Sequence, residues 1–152
     1  QPVEMVADPD LLKQVFLNLA LNAIEAMPGG GKLTIKVSKR KYLQYESRQF
    51  LREIDGDYII STSCEEVLIE FSDTGCGIPL KERKKIFRPF YTTKSKGYGL
   101  GLSVVQQIVQ SHGGKVKLES KPGEGTTFVL SFPLITSLRE VKNGCREYSC
   151  SR

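Results

Sequence analysis

Asp73-Thr74-Gly75-Cys76-Gly77-Ile78-Pro79, with Gly97-Tyr98-Gly99-Leu100-Gly101-Leu102 further along, is the stretch on which the fold of this chain turns. The first run closes an alternating segment, Glu66 to Ser72, in which Val67, Ile69 and Phe71 share one face. Side chains alternate along a strand, so Asp73 falls on that same inward face and needs a hydrogen-bond donor there. Asp-Thr-Gly is good turn chemistry, so one reading is a turn or capping aspartate. The other is a carboxylate that accepts the exocyclic amine of adenine. Gly75 and Gly77 would then let the backbone approach the flat ring, and Ile78 would pack on it.

The second run opens a helix to about Gln110, with Leu102, Val105, Ile108 and Val109 on its buried side. Free N–H groups at a helix N-terminus favour an anion. No Gly-Lys-Ser/Thr follows the glycines, so this is not a Walker A loop, and phosphates would be held by a different fold. Pro79 starts a short predicted helix, Leu80 to Phe87, and Phe87 and Phe90 are expected to anchor the following segment against the core. The window from Lys81 to Lys96 carries +6, against +5 for the whole chain. Lys81 to Lys85 read as a solvated helix face. Lys94 and Lys96 abut the glycines and favour a small polyanion over a nucleic-acid track. No interleaved aromatic platform for single strands accompanies them.

Upstream, Asp8-Pro9 supplies an N-cap and a first-turn proline for a helix from about Asp10 to Met27, which Pro28-Gly29-Gly30-Gly31 ends. Leu12, Val15, Phe16, Leu19, Ala20, Ala23, Ile24 and Met27 cover most of its circumference, which predicts a buried helix. Gln14, Asn18, Asn22 and Glu25 form one polar seam at helical spacing. Such a seam is satisfied either by mutual hydrogen bonds and water, or by a ligand, with an amide oxygen on a magnesium ion. A strand over Lys32 to Ser38 follows, then a polar and aromatic stretch, 39–63, read as a hairpin or loop insertion. Two further strands, Lys115 to Ser120 and Thr126 to Phe132, close the domain.

The chain is 152 residues long, which suits one domain with a real core. No apolar run reaches membrane-spanning length and the start at Gln1 is not a signal peptide. Cys64, Cys76, Cys145 and Cys150 lack C-x-x-C spacing and read as structural or incidental thiols, with a reducing cytosol as the expected compartment. His112, the only histidine, sits at a helix end and reads as a C-terminal cap, so no histidine-based nucleophile set can be assembled.

Taken together, these motifs resemble the catalytic and ATP-binding domain of bacterial sensor histidine kinases, in the GHKL ATPase superfamily. Gln14 to Ala23 is similar to the family's N box and Asp73 to Pro79 to its first glycine box. Ile86 to Phe90 resembles the F box, Gly97 to Leu102 the second glycine box, and Gly125-Thr126-Thr127-Phe128 the closing strand motif. The Phe-Tyr-Thr-Thr-Lys form is like that of nitrogen-regulatory kinases. The resemblance runs from about Asp8 to Pro133 and implies an α/β (α+β) two-layer sandwich, a mixed sheet with helices on one face. It implies ATP and Mg2+ as cofactors. Asp73, Gly75, Gly77, Ile78 and Thr126 would form the base pocket, and Asn22 would be the magnesium ligand with Asn18 near the phosphates. Thr92, Thr93, Lys94, Gly97, Tyr98, Gly99, Leu100, Gly101 and Leu102 would form a lid around the β- and γ-phosphates. No residue is assigned as catalytic.

Asn18 separates branches of the superfamily. Gyrase-type ATPases, mismatch-repair clamps, the heat-shock chaperone branch and anti-sigma serine kinases usually place a glutamate there, a base for water or a hydroxyl. An amide is no base, and imidazole, itself a nucleophile, needs none. Glu25 departs from the family, where many relatives carry a basic residue, and shifts phosphate neutralisation onto Lys94 and Lys96. No helical hairpin with an acceptor histidine stands in the sequence, which reads as an excised piece. The resemblance therefore implies a phosphoacceptor and dimerisation domain of the same kinase as partner, with a response regulator downstream. Nucleic acid and membrane contacts are not expected of this domain. Residues 1–133 are expected to form it, monomeric and cytoplasmic, with 134–152 as a tail of no assigned role.

Overall fold

The computed structural model describes residues 5–47, 59–93 and 97–134. Two helices, α1 (Pro9–Ala26) and α2 (Gly101–Ser111), pack on one face of a sheet made of β1 (Leu33–Ser47), β2 (Ile59–Asp73), β3 (Lys115–Lys121) and β4 (Gly125–Leu134). The strand order is β1-β2-β4-β3. All three neighbouring pairs are antiparallel among the described residues, where a mixed sheet was expected. Connectivity gives the reason. Parallel neighbours need a crossover, and the helical crossover found among the described residues, β2–α2–β3, links two strands that β4 separates.

The cross-strand pairs define the inward face. Phe71 stands opposite both Ile35 and Phe128, and Ile69 opposite Val37 and Leu130. With Val67 and Phe132, these β2 and β4 residues form the floor of a core roofed by Val15 and Leu19 of α1 and by Val105 and Val109 of α2. Each side chain so buried contributes about 1.5–3 kcal/mol relative to exposure. Phe16 reaches the floor through Phe71, with ring centroids 5.4 Å apart.

α1 begins where the sequence places it. The Asp8 carboxylate accepts the N–H groups of Asp10 (2.9 Å) and Leu11 (3.2 Å), and Pro9 takes the first helical position. Its burial differs from the expectation. Only Val15, Leu19 and Ala23 are buried, while Leu17, Leu21 and Ile24 lie in solvent. In a two-layer fold a helix has one covered side, so an apolar circumference is not sufficient to bury it.

Strands β1 and β2 extend through most of the stretch read as an insertion, pairing from Leu33↔Asp73 to Ser47↔Ile59. Residues 48–58 and 135–152, the latter including all but the first residue of the expected tail, lie outside the described residues. The predicted helix over Leu80 to Phe87 is a series of turns instead. Most of its bonds, such as Glu82 N to Pro79 O (2.9 Å) and Arg88 N to Lys85 O (2.8 Å), are i→i−3, and the single i→i−4 bond, Ile86 N to Glu82 O (3.1 Å), does not extend into a ladder.

Candidate nucleotide site

Asp73 is the last residue of β2 and faces inward between Leu33 and Thr126. Its Oδ1 accepts the N–H groups of Gly75 (2.8 Å) and Thr126 (3.2 Å). The first of these is the turn bond that Asp-Thr-Gly favours, so the turn reading holds for this oxygen. Its Oδ2 takes no hydrogen bond among the described residues. The aspartate is half-buried, held by one oxygen, and presents the other as an acceptor.

The loop after Asp73 is clamped on two sides. Cys76 donates its N–H to Ala26 O at the end of α1 (3.1 Å), and its carbonyl accepts Gly123 N–H from the β3–β4 turn (2.8 Å). A Cβ on Gly75 would lie 2.7 Å from Ala26 O, and one on Gly77 would strike the Lys121 carbonyl. Gly77 also has φ +70°, where a side chain is strained. These glycines are therefore explained by packing within the chain, whereas the sequence suggested close approach to a ring. Ile78 is half-buried and packs on the core edge.

The second glycine run meets the polar seam. Asn18 and Asn22 are half-buried on one side of α1, while Gln14 and Glu25 are exposed. A Cβ built on Gly101, the first residue of α2, would sit 3.7 Å from Asn18 Oδ1. Leu100, the N-cap of α2, supplies no side-chain cap, so the first N–H groups of the helix stay open to an anion. Asn18 and Ala26 are two turns apart on α1, about 12 Å along its axis. One flank of α1 thus joins the Asp73 loop to the start of α2, a length suited to an extended nucleoside triphosphate.

The intervening segment is only partly brought to the site. Phe87 packs edge-on against Phe128 (6.4 Å, 89°), as expected of an anchor. Phe90 does not: it has φ +64° and is 76% exposed, because the turn at Arg88–Tyr91 throws its ring outward. Thr92, Thr93, Gly97 and Tyr98 are on the surface, and Lys94 and Lys96 lie outside the described residues. Gly99 (φ +68°) rests on the backbone of Phe90 and Tyr91, where a Cβ would come within 2.6 Å. Leu100 is exposed and Leu102 packs against the core.

Two residues at the site escaped the sequence reading. Ser120 and Arg83 both bond to the Ile78 backbone, Ser120 Oγ to its N–H (2.7 Å) and Arg83 Nε to its carbonyl (3.2 Å). The inward phase of Lys115 to Ser120 could have flagged Ser120, which stands opposite Thr126. Arg83 sat within a charge run and carried no such signal. A hollow of about 330 Å3 beside Asp73 is bounded by Glu119, Lys121 and Thr127. Ser120, Gly125 and Thr126 also line it, so the hollow adjoins the site, while the register sets Glu119 and Thr127 on the face away from the helices.

Among the described residues no cluster of three or more His, Cys, Asp or Glu side chains stands ready for a metal, and no helix is long and apolar enough to cross a membrane. Cys64 and Cys76 take part in no disulfide among the described residues.

Residues 7–136 match the family described as histidine kinase-, DNA gyrase B- and HSP90-like ATPases. The signal transduction histidine-protein kinase AtoS of Escherichia coli is 40% identical over 128 residues, covering 84% of this chain and 17% of that protein. Sporulation kinase E of Bacillus subtilis is 35% identical over 136 residues, covering 90% of this chain and 15% of that protein. The chain thus spans about a sixth of the length of these relatives. Among solved structures, the nucleotide-free catalytic domain of the histidine kinase ThkA is 32% identical with a TM-score of 0.58, covering 85% of this chain and 70% of that one. The mycobacterial sensor histidine kinase MprB gives 25% identity and a TM-score of 0.61, covering 85% and 74%. With the sheet, the two helices and the boxes in place, this chain belongs to the histidine kinase-, DNA gyrase B- and HSP90-like ATPase family, as an ATP-binding domain of the histidine kinase type.

Proposed function

We propose that this domain binds Mg-ATP and delivers its γ-phosphoryl group to a histidine on a separate dimerisation domain of the same kinase, with a response regulator as the next acceptor. The observation that carries this reading is the bound state of Asp73: one oxygen is fixed by two backbone amides and the other is left as an acceptor. That oxygen would take the adenine amine, with Thr126 beside it. The triphosphate would then run along α1 past Asn22 and Asn18 to the open N–H groups of α2, where Thr92, Thr93, Lys94, Tyr98 and the glycines 97, 99 and 101 enclose it.

Asn22, half-buried on the flank of α1 that faces this path, offers a hard amide oxygen of the kind magnesium takes, and would hold the ion of Mg-ATP. When bound, the ion neutralises charge on the phosphates. The protein's own part is to orient the nucleotide between Asp73 and α2 and to avoid activating water. Asn18 serves the second purpose, since an amide cannot abstract a proton. Catalysis is then positioning and charge neutralisation, with the incoming imidazole as nucleophile. The domain is read as monomeric and cytoplasmic by itself.

The test mixes this chain with a histidine-bearing dimerisation domain and labelled Mg-ATP. Acid-labile phosphate on the partner supports the reading. Steady hydrolysis without any phosphoprotein would sink it.

A further inference from the structure

The base pocket is backed by a hydrogen-bond relay, and its proton order follows from the partners present. A serine hydroxyl has one proton to give and two lone pairs to accept with. Ser120 Oγ lies 2.7 Å from Ile78 N, 3.0 Å from Gly125 O and 2.9 Å from Thr126 Oγ1. The amide can only donate and the carbonyl can only accept. Ser120 therefore accepts from Ile78, gives its one proton to Gly125, and has a single lone pair left for Thr126. With all three contacts made, the Thr126 hydroxyl is the donor to Ser120. Its own lone pairs are then all that it can offer elsewhere.

This order makes Thr126 an acceptor, beside an Asp73 carboxylate that is also an acceptor. A pocket with two acceptors reads an amine and rejects a carbonyl. Arg83 holds the relay in place. Its Nε donates to Ile78 O at 3.2 Å and its Nη2 to Ser120 O, so one planar guanidinium ties the Asp73 loop to the β3–β4 hairpin. Arg40 is paired with Glu66 on the opposite face, whereas Arg83 meets no carboxylate among the described residues. Its half-buried guanidinium is committed to these two backbone carbonyls.

We propose that Ser120 and Arg83 are positioning residues that set the base pocket's preference for a 6-amino purine, by fixing Thr126 as an acceptor. This rests on the reading of Asp73 as the base-recognising carboxylate. Neither residue is asked to touch the nucleotide.

The experiment compares the affinity of this chain for ATP and for purine riboside triphosphate, which lacks only the 6-amine. The ratio isolates recognition of the amine. Wild type is expected to favour ATP by tenfold or more. Ser120→Ala is expected to cut that preference about fivefold to tenfold, on the scale of one lost hydrogen bond, and Ser120→Thr to restore it. Arg83→Met is expected to cut it about threefold, and carries the test if Ser120→Ala does not fold. A purely structural role would lower both affinities together and leave the ratio unchanged, which overturns the proposal. Asp73→Asn separates the two levels. If it abolishes ATP binding while Ser120→Ala and Arg83→Met keep the full preference, the relay is wrong and the base reading stands. If it leaves ATP affinity unchanged, both fall.

Discussion

Nε2 of His112 accepts the backbone N–H of Asp8 at 3.0 Å, while its Nδ1 sits 2.8 Å from Ile108 O. One imidazole therefore joins the C-terminal end of α2 to the N-terminal end of α1. The pairing fixes the tautomer, because an amide can only donate: Nε2 is bare and Nδ1 carries the proton to Ile108. The histidine read as a cap is a cap for one helix and an anchor for the other. Replacing it with phenylalanine keeps a ring against Phe132, 6.3 Å away, and removes both hydrogen bonds. His112→Phe is expected to lower unfolding free energy by about 1–2 kcal/mol in urea denaturation. A loss of under a few tenths would show that the bridge is idle.

At Asp73 the expected outcome is loss of binding with the fold retained. In Asp73→Asn the oxygen that holds Gly75 and Thr126 survives, so the turn persists. The free oxygen becomes an NH2 group, a donor facing a donor. ATP affinity should fall by about a hundredfold, the scale of a charge-assisted bond turned repulsive, with the melting temperature within a few degrees of wild type. Calorimetry gives both numbers.

Asn18 yields a prediction in which stability and binding move in opposite directions. Its carboxamide faces Gly101 at the start of α2. Asn18→Asp places a negative charge beside the positive end of that helix, which should stabilise the nucleotide-free domain by about 0.3–1 kcal/mol at low salt. The same charge opposes the phosphates, so ATP affinity should drop by about tenfold or more. Thermal melts with and without nucleotide measure the two effects. A variant less stable when free would mean that the helix end does not feel this position.

Phe87 and Phe90 look alike in the sequence and should behave differently. Phe87→Ala removes a ring from the core edge and should cost about 3 kcal/mol or more. Phe90 is strained and solvent-facing, so Phe90→Asn, a residue that tolerates positive φ, should match or exceed wild-type stability by up to about 1 kcal/mol. Equal losses at the two positions in chemical denaturation would contradict the assignment.

How much of this was legible beforehand depended on how local the cause was. The Asp8 cap, the strand phase at Asp73 and the apolar side of α2 are set by neighbours in sequence, and they stand where the residues put them. The outer face of α1 was misread, because the number of layers covering a helix is a property of the fold and not of its periodicity. The antiparallel order of β2 and β4 was hidden for a related reason: chain order does not reveal which strand slips between two others. Arg83 was hidden because its two acceptors are backbone carbonyls, which every residue owns and no sequence marks.

Gly99 has one more consequence. Because it rests on the backbone of Phe90 and Tyr91, positions 90 and 99 lie against each other although eight residues separate them. Both feet of the 92–98 segment share one footing, so its length is a free variable. Doubling a loop between fixed ends costs only about 0.6 kcal/mol. Insertions there should be tolerated by the fold and felt only by what the segment encloses. For anyone who wishes to retune this domain, that is the place where sequence can be added without rebuilding the rest.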